Sequence, residues 1–497
     1  MEPLLLSEAL YDNAIIRSRF RNLAATPAGN CAATLPRVII LKPHIAMKIA
    51  LISTYELGRQ PFGLASPAAW LRKRGDEVVC LDLSREQLRQ EAIRDAALVA
   101  FYVPMHTATR LATEVLGVAR GINPKAHVCF YGLYAPVNEA WLRKLGVQTI
   151  LGGEFEQGLC DLAARIEAGD ARGAQREPRI SLARQKFLAP DRRDLVPLDR
   201  YAKLTLPSGE SRAAGYTEAS RGCKHLCRHC PIVPVYKGVF RVVDRDVVLA
   251  DIRQQVAAGA RHITFGDPDF FNGIGHAIPI VEALQGEFPE LTYDVTIKIE
   301  HLLKHANQLP VLRKTGCLFV TSAVESVDDG VLEKLDKHHT RADFLKVIAQ
   351  FREIGLTLQP TFVPFSPWTT LESYLDLLEV LRANELIENV APIQLAIRLL
   401  IPAGSLLLDL AEVRELVAPF DEQAMVYRWK HSDPRVDALC EELQQIVHTG
   451  EKMSRPRWRI FERIEKAARR AAGEIARQQP VLASRATIPY LTEPWYC

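Results

Sequence analysis

From Met47 to about Ala168, short apolar runs alternate with amphipathic stretches. Residues 49–53, 77–83, 98–103, 127–131 and 149–151 read as strands. Helices are expected near 65–74, 85–94, 107–119 and 136–145. This β–α alternation predicts a doubly wound parallel sheet with helices on both faces. Such sheets bind ligands at the carboxyl ends of their strands, near the switch in strand order. The Gly-rich dinucleotide fingerprint is missing from the first loop, which runs Thr54-Tyr55-Glu56-Leu57-Gly58-Arg59-Gln60-Pro61-Phe62-Gly63.

A second α/β repeat occupies residues 214–404. Strands are expected at 215–220, 262–266, 293–299, 318–325, 357–363 and 393–401, giving six βα units. Residues 170–213, charged and Pro-rich with little periodicity, read as a linker between the two repeats. Residues 405–497 read as a helical C-terminal region with a loose tail. There Trp458, Phe461, Ile464 and Ala468 recur at helical spacing, as one apolar stripe under a basic, solvated face. Residues 1–46 show no sustained period and read as an N-terminal extension, with Met47 as an alternative start.

Composition narrows the class. A chain of 497 residues exceeds what one core supports, so two or three domains are expected. A net charge of +3 gives no reason to expect a nucleic-acid or membrane partner. No run reaches the ~18 apolar residues of a membrane span. Ten cysteines scattered over this length do not form a disulfide framework, and a reducing cytoplasm is the natural compartment.

Three of those cysteines stand apart. Ser220-Arg221-Gly222-Cys223-Lys224-His225-Leu226-Cys227-Arg228-His229-Cys230-Pro231 places Cys223, Cys227 and Cys230 at C-x3-C-x2-C spacing. Soft thiolates converging on one centre select an iron-sulfur cluster, zinc or copper(I). Structural zinc sites use four protein ligands, and ferredoxin-type clusters use four cysteines. Neither set is completed nearby, because Cys317 lies far along the chain in an expected buried strand. A cluster on three cysteines leaves one iron open to a small ligand. The competing reading is a zinc knuckle closed by His225 or His229.

The triad resembles the radical SAM signature. The resemblance implies a 4Fe-4S cluster, S-adenosylmethionine (SAM) chelated to its open iron, and reductive cleavage of the sulfonium to a carbon radical. It also implies a (β/α)6 partial barrel for residues 214–404, with functional groups at the carboxyl ends of the strands. Under it, His229 occupies the position that lies along the adenine. Gly266 and Asp267, in Phe265-Gly266-Asp267-Pro268-Asp269, stand at a turn that binds the methionyl amine, with Asp269 the competing acid. Glu325 or Ser326, in Ser322-Ala323-Val324-Glu325-Ser326, would contact the ribose or methionyl end. Lys298 and Arg398 are candidates for neutralising a carboxylate. The Rossmann-like segment 47–169 resembles the cobalamin-binding-like domain that precedes many such cores. It lacks the Asp-x-His-x-x-Gly loop that supplies a histidine to cobalt, so cobalamin is admitted as a cofactor without being required.

The tail, Ala486-Thr487-Ile488-Pro489-Tyr490-Leu491-Thr492-Glu493-Pro494-Trp495-Tyr496-Cys497, resembles the end of a small radical SAM family closing in Cys-Cys-Ala-Glu-Pro or Cys-selenocysteine-Ala-Glu-Pro. On that resemblance Cys497 is a catalytic candidate, the protein a candidate selenoprotein continuing past Cys497, and the tail a cover for the barrel mouth. The expected function is a radical SAM enzyme acting on a small-molecule substrate with a thiol, selenium or arsenic centre. Flavodoxin or ferredoxin would supply electrons. A cobalamin-dependent radical methyltransferase is the variant within this class. A non-catalytic metal-binding or redox-sensing protein is the alternative outside it.

Overall fold

The computed structural model describes residues 46–170, 174–474 and 488–492. Within them, 46–196 and 197–492 are two compact units, which divide inside the stretch expected to be a linker. Cys497 lies outside the described residues, as does the N-terminal segment 1–45.

The first unit is built on β1 (Lys48–Ser53), β2 (Glu77–Asp82), β3 (Leu98–Tyr102), β4 (His127–Tyr131), β5 (Thr149–Gly153) and the short β6 (Ile180–Ser181), in the order β2-β1-β3-β4-β5-β6. Every pairing is parallel. β3, β4 and β5 are buried along their whole length, as expected where helices cover both faces and strands become near-continuous apolar runs. Two apolar layers result. One carries Ile52, Phe101, Phe130 and Ile150; the other carries Leu51, Ala100, Tyr131 and Leu151. The order switches between β1 and β3, the ligand-binding position of a doubly wound sheet. Near that switch Gly63 is required, because a Cβ there would meet the Tyr102 ring at 2.2 Å. Residues after β6 strap onto helix Phe62–Arg74: Arg72 pairs with Asp191 at 3.0 Å and also with Asp194, and Asp191 N donates to Ala65 O.

The second unit contains β7 (Lys203–Thr205), β8 (Ser211–Thr217), β9 (Ser220–Gly222), β10 (Phe240–Val242), β11 (His262–Phe265), β12 (Thr292–Thr296), β13 (Cys317–Glu325), β14 (Thr357–Phe362), β15 (Val417–Asp421), β16 (Val426–Trp429) and β17 (Tyr490–Leu491). Its main sheet runs β14-β13-β12-β11-β8-β7-β17. From β8 to β14 the pairings are parallel, with helices between strands, giving a curled half-barrel. The expected sixth strand at 393–401 does not form. Pro392–Leu395 is a 3-10 turn, and one parallel bridge joins Phe365 to Arg398. Pro364 and Pro367 on one side and Pro402 on the other lack the donors a longer ladder needs.

Helices Pro434–Lys452 and Arg457–Ala471 complete the C-terminal region, together with the unexpected hairpin β15–β16. They meet at Gly450, where a Cβ would lie 2.7 Å from Ile460. The basic helix Arg457–Ala471 buries Ile460, Phe461 and Ile464, and its Glu465 pairs with Arg382. The described part of the tail does not cover the strand ends. β17 pairs antiparallel with β7, and Gln359 of β14 donates to Pro489 O at 2.7 Å. The tail thus lies between the two edges of the curled sheet.

Candidate metal and cofactor site

β8 turns at Glu218 and Ala219 into β9, which pairs antiparallel with β10 and closes the base of loop 223–239. Gly222 is the last residue before Cys223. Its φ of +75° is left-handed, and a Cβ would meet Tyr236 at 2.4 Å and Val239 O at 2.5 Å, so only glycine fits. Cys223, Cys227 and Cys230 sit on this one loop, none in a disulfide. The loop is tied down at several points. Cys230 N donates to Cys227 O, Arg228 N to Leu335 O at 3.0 Å, and Ser405 Oγ to Arg228 O at 3.2 Å. Lys224 N donates to Asn272 Oδ1 at 3.2 Å.

The donor set suits an iron-sulfur cluster. Burial pushes the Cys223 thiol up to about 11, and burial with the neighbouring Cys227 pushes Cys230 up to about 12. Bare thiols in that setting hold their protons, whereas a bound metal cation deprotonates a coordinating thiol. Among the described residues, the remaining cysteines lie outside this loop, so they offer no fourth thiolate beside these three.

Glu325 forms a second focus at the end of β13. Its φ is +69°, a strained conformation for a residue with a side chain, of the kind found at functional sites. Its Oε1 lies 3.2 Å from His229 Nε2 of the cysteine loop and 3.3 Å from Lys337 Nζ. Burial alone would raise its pKa; the Lys337 charge and His229 outweigh it and bring the carboxyl down to about 2. His339 is buried beside this group, with both ring nitrogens outside hydrogen-bonding geometry. Burial, then the charges of Lys337 and Lys298, bring its pKa down to about 4. His229 Nδ1 is likewise buried and unpartnered. These polar atoms suit a polar ligand beside the cysteine loop, as SAM would be.

Several expected contacts are spent inside the protein. The space on the Cβ side of Gly266 is taken by Tyr216, whose Oη would lie 1.8 Å from an added Cβ. Asp267 turns inward, accepting from Ala219 N at 2.9 Å and Ser220 Oγ at 2.5 Å. It thereby fixes the turn before the cysteine loop, and burial raises its pKa to about 7. Ser326 Oγ accepts from Asp328 N and serves the turn into helix Asp329–Lys334. Arg398 donates to Asp437 at 2.6 Å and to Trp429 O, and its guanidinium stacks over Trp429 at 3.6 Å. Two of its donors and one face are thus engaged within the protein. Lys298, buried after β12, lies 3.1 Å from His225 Nδ1 and 3.3 Å from Glu300. Lys337 and His339 escape sequence reasoning. The Lys337-His338-His339 run is the available signal, but nothing local shows that it returns to Glu325.

A three-cysteine loop thus stands at the strand ends of a parallel half-barrel that follows a doubly wound domain in the sequence. Residues 217–378 match the Radical SAM superfamily, so this part of the chain is a radical SAM domain. The sequence is 24% identical over 185 residues to the ribosomal protein uS12 methylthiotransferase RimO of Geobacter sulfurreducens, covering 35% of this chain and 41% of that one. It is 24% identical over 151 residues to the hopanoid C-3 methylase of Methylococcus capsulatus, covering 30% and 29%. The chain spans about two fifths of the length of the first of these relatives. In fold it is similar to the radical S-adenosylmethionine methyltransferase TsrM of Kitasatospora setae, solved with cobalamin and a [4Fe-4S] cluster. That likeness has a TM-score of 0.52 and 16% identity, over 68% of this chain and 73% of that one. It is also similar to the cobalamin-dependent S-adenosylmethionine radical enzyme OxsB, with a TM-score of 0.66 and 15% identity, over 86% and 71%. The Radical SAM match implies a 4Fe-4S cluster and SAM as cofactors. Among the described residues no helix is long and apolar enough to cross a membrane.

Proposed function

We propose that this protein is a radical SAM enzyme that reductively cleaves SAM to start radical chemistry on a small-molecule substrate. The observation that carries this reading is the single loop bearing Cys223, Cys227 and Cys230 with no fourth cysteine beside them. A 4Fe-4S cluster held there would supply the electron that breaks the sulfonium. Around it, Lys337 and His229 keep Glu325 ionised as an acceptor for a ribose hydroxyl or the methionyl amine. His229 offers a ring to the adenine, and Lys298 a positive charge to a carboxylate. Asp267 and Asn272 position the loop without touching the cofactor. The test is anaerobic reconstitution, iron and sulfide analysis, and SAM cleavage driven by dithionite. Formation of 5′-deoxyadenosine or methylthioadenosine supports the reading and tells which bond breaks. An intact, reduced cluster that leaves SAM uncleaved favours a redox-sensing or metal-binding protein instead.

The substrate we infer carries a thiol, selenium or arsenic centre. Its support is the soft ligand chemistry of the tail ending in Cys497. A flavodoxin- or ferredoxin-type reductant and a cytoplasmic setting follow from the cluster's need for low-potential electrons and protection from oxygen. Methyl transfer through cobalamin is a second reading, favoured by the β2-β1-β3-β4-β5 order of the first unit, which provides a switch-point crevice. Corrin absorption after incubation with hydroxocobalamin and gel filtration tests it, and its failure leaves the SAM-cleavage reading untouched.

A further inference from the structure

We propose that His225, Asp269 and His301 bind a single divalent first-row transition-metal ion, distinct from the centre held by the three cysteines. The three residues come from separate elements. His225 lies on the cysteine loop between Cys223 and Cys227, Asp269 in the loop after β11, and His301 in helix Ile299–Lys304. Each offers one ligand atom, and these atoms all lie within 4.8 Å of one another. The imidazole rings stand 4.7 Å apart at 60°. Asp269 and His301 are 1% and 6% exposed, and the His225 side chain is 11% exposed.

The three side chains are in close contact. Asp269 Oδ2 is 2.6 Å from His301 Nδ1 and 3.3 Å from His225 Nε2. Yet all three atoms are buried without a partner in hydrogen-bonding alignment. Buried polar atoms are nearly always satisfied, and one cation at their meeting point satisfies all three. The other carboxylate oxygen is already fixed, accepting from Phe271 N at 3.1 Å, so the free oxygen is held toward the histidines.

The donor set selects the ion. Two imidazoles and one carboxylate suit borderline first-row divalent ions, in contrast to all-oxygen sites for magnesium or calcium and thiolate sites for copper(I). Three protein donors leave coordination positions open, as in catalytic zinc sites and two-histidine, one-carboxylate iron sites. A metal-bound imidazole normally donates its other N–H to a carboxylate. Glu300 Oε2 is 3.5 Å from His225 Nδ1 and fills that place. Lys298 Nζ, 3.1 Å from the same nitrogen, is the donor to it when Nε2 carries the proton. With Nε2 on a metal, the proton resides on Nδ1 and faces Glu300, while Lys298 keeps its contact with Glu300 at 3.3 Å.

The test uses the full chain with its cluster reconstituted and loose metal removed by a mild chelator, and its readout does not involve SAM. Cobalt(II) is titrated in without oxygen and followed by its visible ligand-field absorption and by metal per chain after gel filtration. The expected result is one cobalt per chain, displaced by zinc(II), with no thiolate-to-cobalt charge-transfer band. Asp269→Asn and His301→Gln should each weaken binding at least tenfold, and Glu300→Gln less, with cluster iron and sulfide unchanged. Absence of retained cobalt in the native protein overturns the proposal. So does a thiolate charge-transfer band, or equal binding by native protein and both ligand variants. Should the variants fold poorly by circular dichroism, the native protein decides alone: stoichiometric zinc(II) must raise its melting temperature while the cluster is intact, and no rise counts against the site.

Discussion

Replacing Glu325 by glutamine removes a charge and leaves the side-chain volume nearly unchanged. In the folded protein the carboxyl sits at about 2, against an ordinary value of 4.5, because the Lys337 charge and the His229 contact overcome burial. That interval, at about 1.4 kcal/mol per pH unit, corresponds to ~3 kcal/mol of stability at neutral pH. It belongs to the Glu325–Lys337–His229 group as a whole and is not added again for Lys337. Because the folded value lies below the unfolded one, the contribution is complete above about pH 4.5 and fades as pH falls toward 2. Glu325→Gln should therefore lose roughly 3 kcal/mol at pH 7, leaving the Lys337 ammonium buried without its counter-charge. Urea unfolding of the full chain, with Lys337→Met and the double variant completing a cycle, measures this. The double variant should recover much of the loss, since it buries no unpaired charge. A Glu325→Gln loss under about 1 kcal/mol would refute the reasoning, as would single losses that simply add in the double variant.

Cys223→Ala, Cys227→Ala and Cys230→Ala should each abolish cluster assembly, read as iron and sulfide per chain, while far-ultraviolet circular dichroism stays native. Gly222→Ala forces a side chain into left-handed φ against Tyr236 and Val239; it should cost about 2–4 kcal/mol by denaturation and lower cluster content, through the combined strain and overpacking. Asp267, raised to about 7 by burial, favours its protonated form in the folded state. Its contribution to stability is therefore greatest near pH 4 and is lost as pH rises through 7; Asp267→Asn should flatten that slope in melting temperatures measured across this range.

The doubly wound sheet was legible because buried parallel strands such as Leu98–Tyr102 and His127–Tyr131 are written as unbroken apolar runs. β6, β9, β10 and β17, of two or three residues each, were not, because runs so short carry no period and their pairing depends on partners distant in sequence. Cysteine spacing is a local signal, and it marks the cluster loop within eight residues of chain. Polar groups at the strand ends were harder to read, since a side chain's direction is set by what packs over it. Tyr216 fills the space at Gly266, and the backbone at Ala219 captures Asp267. The meetings of Lys337 with Glu325, and of His225 with His301, require the curl of the half-barrel, which no local pattern encodes.

The tail strand carries a consequence for the order of folding. Thr492 N donates to Lys203 O and Lys203 N donates to Thr492 Oγ1, each at 2.9 Å, across 289 residues of chain. Contacts of such long sequence separation bear a large loop-closure cost before they contribute anything. During synthesis they cannot form until residue 492 has emerged. Until then the N-H and C=O groups on the outer side of β7 lack this partner, and an open edge is a template for pairing with another chain. Emergence of this strand would thus also end a period of exposure to aggregation. Chains truncated before Tyr490 should be caught by chaperones or pair edge to edge, even with every cofactor ligand in place.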